Sequence, residues 1–310
     1  MAKRSMLAFL YDQCGTAPPP VGVDLKGKTV LVEPGEGEAA IQRLEMATGY
    51  NKAELWLIDL AEFSSVKEFA DRASKELERL DIVVLNAAIA TLKYSVTKDS
   101  WETELQVNNL SLSLLALLLL PRMSDTAQKF NVLPRMVVVS SDLHFWTNFD
   151  DKVIGSPNVF SLLSSKEYCT PKNFAKRYVD TKLLNVFFTR GLNNRLKDRS
   201  IIVNTVNPAF CYSELRREWT GLFNTIFEWL FAWTTEEGSR QLVWASVGVP
   251  EGGIEKLKGA YIHLSKVMEP SDSVLGDEGK KKEDKLWNDL ISILTELDPR
   301  VADVVNQHLQ

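Results

Sequence analysis

Three short apolar runs, each followed at once by polar side chains, constrain the fold of this chain more than any other feature. They are Asp81–Leu85 before Asn86, Arg135–Val139 before Ser140 and Ser141, and Ile201–Val206 before Asn207. Stretches with helical periodicity lie between them. Strands that alternate with helices build parallel sheets, which bind ligands at the carboxyl ends of their strands. We therefore expect an α/β fold in which the polar strand ends form one site.

A tyrosine and a lysine lie one helical turn apart between the second and third runs. Tyr178 and Lys182 stand at i and i+4, so a helix places them on the same face. An ammonium beside a phenol favours the phenolate and lowers a pKa that is about 10 when unperturbed, which would make Tyr178 an acid or base near neutral pH. A solvated surface pair is the alternative, because this spacing is common on helices.

With Gln106, Asn108 and Asn109 near the start of a long apolar helix, these motifs resemble the short-chain dehydrogenase/reductase family. The nearest subgroup is the retinol-dehydrogenase-like and WW-domain-oxidoreductase-like enzymes of fungal secondary metabolism, and the resemblance runs from about residue 24 to about residue 264. It implies a Rossmann-type, doubly wound parallel sheet. It also implies interconversion of a carbonyl and an alcohol on a lipophilic small molecule, with NADP, or else NAD, as cofactor.

The resemblance assigns catalytic roles to four residues. Tyr178 would donate or accept the substrate proton, and Lys182 would lower its pKa and reach the nicotinamide ribose. Ser141 would polarise the carbonyl, although a hydroxyl that caps a turn is the alternative. Asn108 would hold a water that links Lys182 to solvent; Asn109 in that role, or an amide at a helix start, is the alternative.

The resemblance also assigns residues to the nicotinamide nucleotide. They are Asp59 at the adenine, Asn86 in the turn after a strand, Pro208 and Ser213 near the nicotinamide, and Tyr178 and Lys182. Two positions depart from the family pattern: Ala88 and Ala209 stand where the family has glycine. No metal site is expected, since the three histidines are scattered.

The glycine-rich phosphate loop of the family is missing. The first strand, Lys28–Val32, runs into Glu33, Pro34, Gly35, Glu36 and Gly37, and glutamates repel phosphate. Only residues 33–53 separate it from the next predicted strand, Glu54–Leu60, whereas a βαβ unit takes about 30 residues or more. The first βαβ crossover is therefore predicted to be truncated, with Gly35 and Gly37 in a plain turn and Glu38–Thr48 as its one helix.

Two interpretations of this truncation remain open. The chain is either an incomplete version of a reductase, through a skipped exon or a faulty gene prediction, or a protein that has lost nucleotide binding. In the second case it would be a non-redox pseudoenzyme, a binding or scaffold protein, or a catalyst that uses Tyr178 without a nucleotide.

Composition narrows the choice of partners. The 310 residues carry a net charge of −5 and no basic block, which argues against nucleic acid. Three cysteines without a C-x-x-C pair favour a reducing, cytoplasmic setting. The apolar run Leu110–Pro121 is shorter than the roughly 18 residues of a membrane span and indicates a buried helix. Oligomerisation with a second copy is left open.

An aromatic-rich segment and the two ends of the chain complete the prediction. Residues 210–233 indicate a core or pocket-covering helix, or else peripheral contact with a membrane surface. We divide the chain into an extension, 1–23, one Rossmann-type domain, 24–270, and a tail, 271–310. Helices are expected over Ser64–Leu80 and Trp287–Leu297, and the Lys-rich stretch Ser271–Asp284 is predicted to be a loop.

Overall fold

Six strands form one sheet in the computed structural model, which describes residues 4–32, 37–197, 200–218 and 221–310. The strands are β1 (Val30–Val32), β2 (Ile82–Leu85), β3 (Arg135–Val139), β4 (Ile202–Val206), β5 (Tyr261–His263) and β6 (Lys266–Met268). Consecutive strands are neighbours throughout; the first five are parallel, and β6 returns antiparallel to β5.

Helices connect and cover these strands. They are α1 (Met6–Gln13), α2 (Gly37–Thr48), α3 (Phe63–Glu76), α4 (Thr103–Phe130), α5 (Asp151–Ile154), α6 (Val159–Ser164), α7 (Pro171–Phe174), α8 (Arg177–Arg195), α9 (Leu222–Phe231), α10 (Thr235–Val247), α11 (Gly276–Leu297) and α12 (Arg300–His308). The predicted α/β fold, with a mostly parallel sheet, is confirmed.

The two faces of the sheet pack against different helices, because successive side chains of a strand point to opposite faces. Val83, Met136 and Val203 belong to a large apolar core with α3, α4, α8, α11 and α12. Val84 and Val137 belong to a smaller core that α10 covers. By length and composition α4 could cross a membrane, but 89% of its apolar window is buried, so it is a core helix in this structure.

The truncation of the first crossover is visible at the edge of the sheet. Among the described residues no strand lies beyond β1, and Val32 is 51% exposed there. The predicted strand Glu54–Leu60 is wrong: residues 50–59 form neither strand nor helix, and Leu57 is 83% exposed. A strand needs a neighbour for its backbone N–H and C=O groups, and α2 is the one described element between this segment and β1.

Both ends of the chain differ from expectation. The predicted loop Ser271–Asp284 is wrong beyond its first residues, because α11 begins at Gly276 and also contains the predicted helix Trp287–Leu297. Ion pairs at helical spacing, such as Lys281 with Glu278, support this Lys-rich turn. At the other end, α1 folds back onto the domain through the buried side chain of Gln13.

Candidate active site

The site is built where the carboxyl ends of β2, β3 and β4 meet α8. Asn86 follows β2, Ser140 and Ser141 follow β3, and Asn207 follows β4. A hydrogen bond from the Ser140 hydroxyl to the Lys182 carbonyl, 2.8 Å long, fixes α8 against the end of β3. The predicted convergence of strand ends and the Tyr178 helix is therefore present in the structure.

Tyr178 and Lys182 share the inner face of α8. The Lys182 ammonium lies 5.4 Å from the centre of the Tyr178 ring and donates a 3.1 Å hydrogen bond to the carbonyl of Val139, at the end of β3. Among the described residues, the Tyr178 hydroxyl has no hydrogen-bond partner. It is thus a proton donor whose hydrogen bond is available to a ligand.

The expected direction of the Tyr178 pKa shift is wrong for this structure. Burial raises the pKa of Tyr178, and the nearby carboxyl of Glu104 raises it further. Burial also lowers the pKa of Lys182, to about 8, with Glu104 opposing this shift. The reason is geometric: the ammonium lies over the ring and bonds to a carbonyl, so it does not favour the phenolate.

Ser141 caps a turn, which is the alternative considered for it. Its Oγ accepts a 3.2 Å hydrogen bond from the Leu143 backbone N–H and so caps the 3-10 turn of residues 142–146. The ring of His144, which is fully buried, holds the Ser141 carbonyl at 2.7 Å. A hydroxyl that accepts one hydrogen bond can still donate its proton, so Ser141 remains a candidate donor to a carbonyl oxygen.

Asn108 lies in a π-helical turn, residues 106–111, inside α4. Its side-chain amide accepts from the Ile89 N–H and donates to the Ile89 carbonyl, both at 2.8 Å, and it also donates to the Thr181 hydroxyl. The amide therefore ties the turn after β2 to α8. The alternative, Asn109, bonds to the Thr181 carbonyl and to Asn185.

Residues assigned to the nucleotide occupy two different regions. At the ends of β2 and β4, Asn86 and Pro208 are half-buried, and Ser213 beyond β4 is exposed. Asp59 is exposed on the coil before α3, where its carboxylate accepts the Ala61 N–H at 2.8 Å and shapes the helix entry. The sequence predicts Asp59 near the end of a strand, and this prediction is wrong, because the segment before it is coil.

Strain marks the turn after β4. Ala209 has φ of +68°, the left-handed region that glycine adopts readily and alanine does not. The Asn207 side chain stabilises this turn by accepting the Ala209 N–H at 3.2 Å. The position where the family has glycine therefore still carries the backbone conformation that glycine serves.

The residues present do not fit the phosphate and adenosine half of a dinucleotide. Glu33–Glu36 lie outside the described residues. Gly37 begins α2, and a Cβ there would meet the side chain of Leu55, so this glycine serves packing. Glu38 lies in the first turn of α2, where a carboxylate repels phosphate. Of the residues assigned to the nicotinamide half, Pro208 follows β4, and Lys182 on α8 bonds to the end of β3.

The aromatic segment 210–233 forms a lobe beside the site. Backbone hydrogen bonds between Phe210 and Trp233 and between Tyr212 and Trp233 close its base. Four rings pack in sequence, with centroids 5.0 to 6.0 Å apart: Phe9, Phe210, Phe227 and Phe231. Trp229 is 75% exposed and so is neither core nor pocket lining. Trp219 and the side chain of Phe223 lie outside the described residues.

The structure shows site residues that the sequence analysis missed. Glu102 and Arg177, both fully buried, form a 3.1 Å ion pair that anchors the start of α8. Glu104 is fully buried near Tyr178 and Lys182. Acidic residues at a helix start are ordinarily solvated partners of the helix dipole, so nothing in the sequence distinguishes these two.

Comparison with known proteins establishes the family of this chain. A family model described as short chain dehydrogenase matches residues 24–143. The short chain dehydrogenase/reductase dmxR8 of a Cryptosporiopsis species is 34% identical over 254 residues, covering 81% of this chain and 76% of that protein. The chain belongs to the short-chain dehydrogenase/reductase family. It is therefore an oxidoreductase by family, and the family in general depends on NAD(P).

Other members of the family extend the comparison. The short-chain dehydrogenase anuD of Penicillium roqueforti is 30% identical, covering 97% of this chain and 86% of that protein. That alignment spans 342 positions, more than the 310 residues of this chain, so anuD contains residues that have no counterpart here. The short chain dehydrogenase sol3 of Alternaria solani is 36% identical over 211 residues, 68% of this chain and 72% of that protein.

Solved structures confirm the Rossmann-type fold of the short-chain dehydrogenase/reductase chain. Salutaridine reductase from Papaver somniferum superimposes with a TM-score of 0.55 at 19% identity, covering 76% of this chain and 90% of that one. A 3-oxoacyl-[acyl-carrier protein] reductase from Brucella melitensis in complex with NAD gives 0.53 at 15% identity, covering 76% and 84%. At these identities the likeness shows the fold alone.

Proposed function

We propose that this chain interconverts a carbonyl and an alcohol on a lipophilic small molecule in secondary metabolism, with NADP(H) preferred to NAD(H). The observation that carries the proposal is the Tyr178 hydroxyl, which has no partner among the described residues and lies on the same helix face as the Lys182 ammonium. The fungal dehydrogenases that the chain resembles support the metabolic setting. The preference for NADP rests on the subgroup resemblance.

The proton half of the reaction is the part that this chain's own residues carry. In reduction, Tyr178 donates its proton to the oxygen that becomes the alcohol, and Ser141 donates a hydrogen bond to the same oxygen. Lys182, held by the Val139 carbonyl, lies over the Tyr178 ring on the same helix face. Asn108 and the ion pair of Glu102 and Arg177 keep α4 and α8 in register, so these groups stay aligned.

A lipophilic substrate is proposed because apolar rings stand next to these polar groups. Phe210 follows two residues after Pro208, and its ring continues into Phe227 and Phe231 of α9. Phe9 of α1 adds a ring that packs edge-on against Phe210. Such a wall favours ligands that bury apolar surface, at about 25 cal/mol per Å².

The proposal is tested by turnover of a panel of lipophilic ketones with NADPH and with NADH. Tyr178→Phe should abolish turnover while circular dichroism shows an unchanged fold, because the ring remains and only the proton donor is lost. Tyr11→Phe is the matched control, since Tyr11 is 82% exposed on α1, and it should leave the rate unchanged. Equal rates of ketone reduction by Tyr178→Phe and by the parent chain would rule out Tyr178 as the proton donor.

A second candidate is a protein of the same fold that has lost nucleotide binding. The contact of Gly37 with Leu55 and the position of Glu38 favour it, since neither leaves a backbone cradle for phosphate. Such a chain would bind a small molecule at Tyr178 without redox chemistry. Ketone or alcohol binding in the absence of any response to NADPH supports this candidate over the first.

Peripheral contact with a membrane is proposed for a cytoplasmic protein that takes up such substrates. The outer face of α9 exposes Leu222, Ile226, Trp229 and Leu230, and the adjacent α1 exposes Leu7. The one carboxylate in α9, Glu228, is paired with Arg216, so this face carries no free acid. Cosedimentation with zwitterionic phospholipid vesicles tests the contact: Trp229→Ser should weaken it, whereas retained binding by that variant would assign it elsewhere.

A further inference from the structure

Arg4, which precedes α1, is buried against the turn that follows Ser141, far away in the sequence. Its side chain is only 7% exposed. It forms ion pairs with Asp12, in α1, and with Asp142, which follows Ser141. Its Nη2 also donates a 2.8 Å hydrogen bond to the ring of His263, at the end of β5. A buried charge is costly unless it is paired and hydrogen-bonded, and these contacts supply both.

Arg4 contacts both ends of the 3-10 turn after β3. Its Nε lies 2.9 Å from a carboxylate oxygen of Asp142, the first residue of the turn. Its backbone carbonyl accepts a 2.9 Å hydrogen bond from the indole N–H of Trp146, the last residue of the turn. Ser141 caps this same turn, because its Oγ accepts the Leu143 N–H. One residue therefore holds the turn whose cap is a candidate donor to the carbonyl oxygen.

The carboxylate of Asp142 depends on Arg4 for its charge balance. Asp142 is buried, and burial raises its pKa, whereas the charge of Arg4 opposes that rise. Burial lowers the pKa of the neighbouring His263 to about 3, so this ring is neutral near pH 7. Loss of the Arg4 guanidinium takes away the cation that balances Asp142, and the turn that Asp142 begins loses an anchor.

The rest of the same segment contacts the turn after β4. The side-chain amide of Gln13 donates to the Phe210 carbonyl at 2.9 Å and accepts the Phe210 N–H at 3.1 Å. The ring of Phe9 contacts the rings of Trp146 and Phe210, with centroids 6.1 and 6.0 Å away. Residues 4–13 therefore touch the turn after β3 and the turn after β4, one on each side.

We propose that residues 4–13 form an N-terminal clamp and that Arg4 is a positioning residue for Ser141, acting through Asp142 and Trp146. The clamp fixes the backbone of the turn and, with it, the direction of the Ser141 hydroxyl. Without the clamp the turn moves, and the hydroxyl loses its alignment with the substrate oxygen. This inference rests on the proposed carbonyl chemistry of the same site.

Hydrogen exchange of the Leu143 amide tests the clamp without any turnover, because this N–H donates to the Ser141 Oγ. In Arg4→Met, which keeps an unbranched side chain but no charge, we expect exchange at Leu143 to be about tenfold faster. The Ile202 N–H, bonded to the Pro134 carbonyl at 2.9 Å at the opposite end of the sheet, should keep its rate, which excludes general loosening. Unchanged exchange at Leu143 overturns the inference.

Three further variants sharpen this measurement. Arg72→Met is the matched control, since Arg72 forms an exposed ion pair with Glu76 on α3, and it should leave Leu143 exchange unchanged. Arg4→Lys keeps the charge but not the planar fork that reaches several partners, so it should give an intermediate rate. Trp146→Phe replaces Arg4→Met if that variant does not fold: Trp146 is 40% exposed, and its change removes the hydrogen bond to the Arg4 carbonyl. Faster exchange at Leu143 is expected there too, and an unchanged rate counts against the inference in the same way.

Kinetics of ketone reduction test whether the clamp acts through Ser141. Arg4→Met should lower kcat at least about tenfold at unchanged KM, but it should cause no further loss in a chain that already carries Ser141→Ala. An arginine that stabilised the fold alone would cause the same loss in both chains. Equal losses, or full kcat in Arg4→Met, overturn the inference. If the parent chain reduces no ketone, the proposed function fails, and exchange at Leu143 still decides whether Arg4 holds the turn.

Discussion

The side-chain amide of Asn108 forms two hydrogen bonds, each 2.8 Å long, with the backbone N–H and C=O of Ile89. This pairing imitates one rung of a β-ladder and joins the turn after β2 to the π-helical turn of α4. A π-helical turn shifts the helix by one residue, which is how Asn108 reaches both backbone groups. Its first role is therefore to hold the turn near which Asn86 and Thr91 lie.

We predict that Asn108→Ala lowers the free energy of unfolding by about 1–3 kcal/mol, because it leaves two backbone groups of half-buried Ile89 unpaired. Urea denaturation measures this loss. Asn51→Ala, at an exposed asparagine in coil, is the control and should change stability by less than about 0.5 kcal/mol. Unchanged stability of Asn108→Ala would mean that its amide acts on a ligand or water instead.

In the turn after β4, by contrast, we predict a substitution that raises stability. Ala209 holds φ of +68°, which costs a residue with a Cβ about 1–2 kcal/mol. Ala209→Gly removes this strain but loses about 0.4–1 kcal/mol to the greater entropy of the unfolded chain. The variant should therefore be more stable by roughly 0.5–1 kcal/mol, measured as a higher urea midpoint.

Ala302→Gly is the comparison for this prediction. Ala302 lies inside α12 with helical backbone, so glycine should destabilise the protein there by about 1 kcal/mol. If both substitutions destabilise by similar amounts, the strain assigned to Ala209 is absent.

Sequence patterns predicted which side chains share a helix face and which follow the ends of strands. Helical spacing placed Tyr178 and Lys182 on one face, and polar residues after apolar runs placed Asn86, Ser141 and Asn207 at one edge of the sheet. The strand Glu54–Leu60 failed because strand formation depends on a neighbour, which the truncated crossover does not supply.

Sequence patterns could not predict which acidic side chains are buried. The sequence shows Glu102 and Glu104 as ordinary acids at a helix start, but both side chains are buried, and Glu102 pairs with Arg177 of α8. The loop prediction for the Lys-rich start of α11 was wrong because it rested on composition. Ion pairs at helical spacing and the buried Glu283 stabilise this segment as a helix.

The missing phosphate loop predicts weak nucleotide binding. Compared with dmxR8 measured alongside, this chain should bind NADPH at least a hundredfold more weakly, since about 2.7 kcal/mol of lost phosphate contacts gives that factor. Quenching of its eight tryptophans reports the binding. Reduced nicotinamide mononucleotide, which lacks the adenosine half, should bind this chain nearly as well as NADPH does. Micromolar affinity for NADPH alone would show that residues 32–40 do cradle the phosphates.

The last prediction concerns the dependence of stability on pH. The pKa of Glu104 is raised to about 8 in the folded protein from 4.5, so between these values the folded state holds a proton that the unfolded chain releases. Stability present below pH 4.5 is therefore lost as pH rises toward 8, by at most about 1.4 kcal/mol per pH unit. Lys182, whose pKa is lowered to about 8 from 10.5, acts in the opposite sense: stability rises again between pH 8 and 10.5.

Urea denaturation at a series of pH values should thus show a minimum of stability near pH 8. Glu104→Gln should flatten the limb below it, whereas Lys182→Met should flatten the limb above it. The comparison is made from pH 6 to 8, because Asp180, with a pKa raised to about 6, contributes a fall of the same sign at lower pH in every variant. Parallel curves for the parent chain and Glu104→Gln over that interval would show that Glu104 is ionised in the folded protein, because a group whose pKa is the same in both states adds no slope.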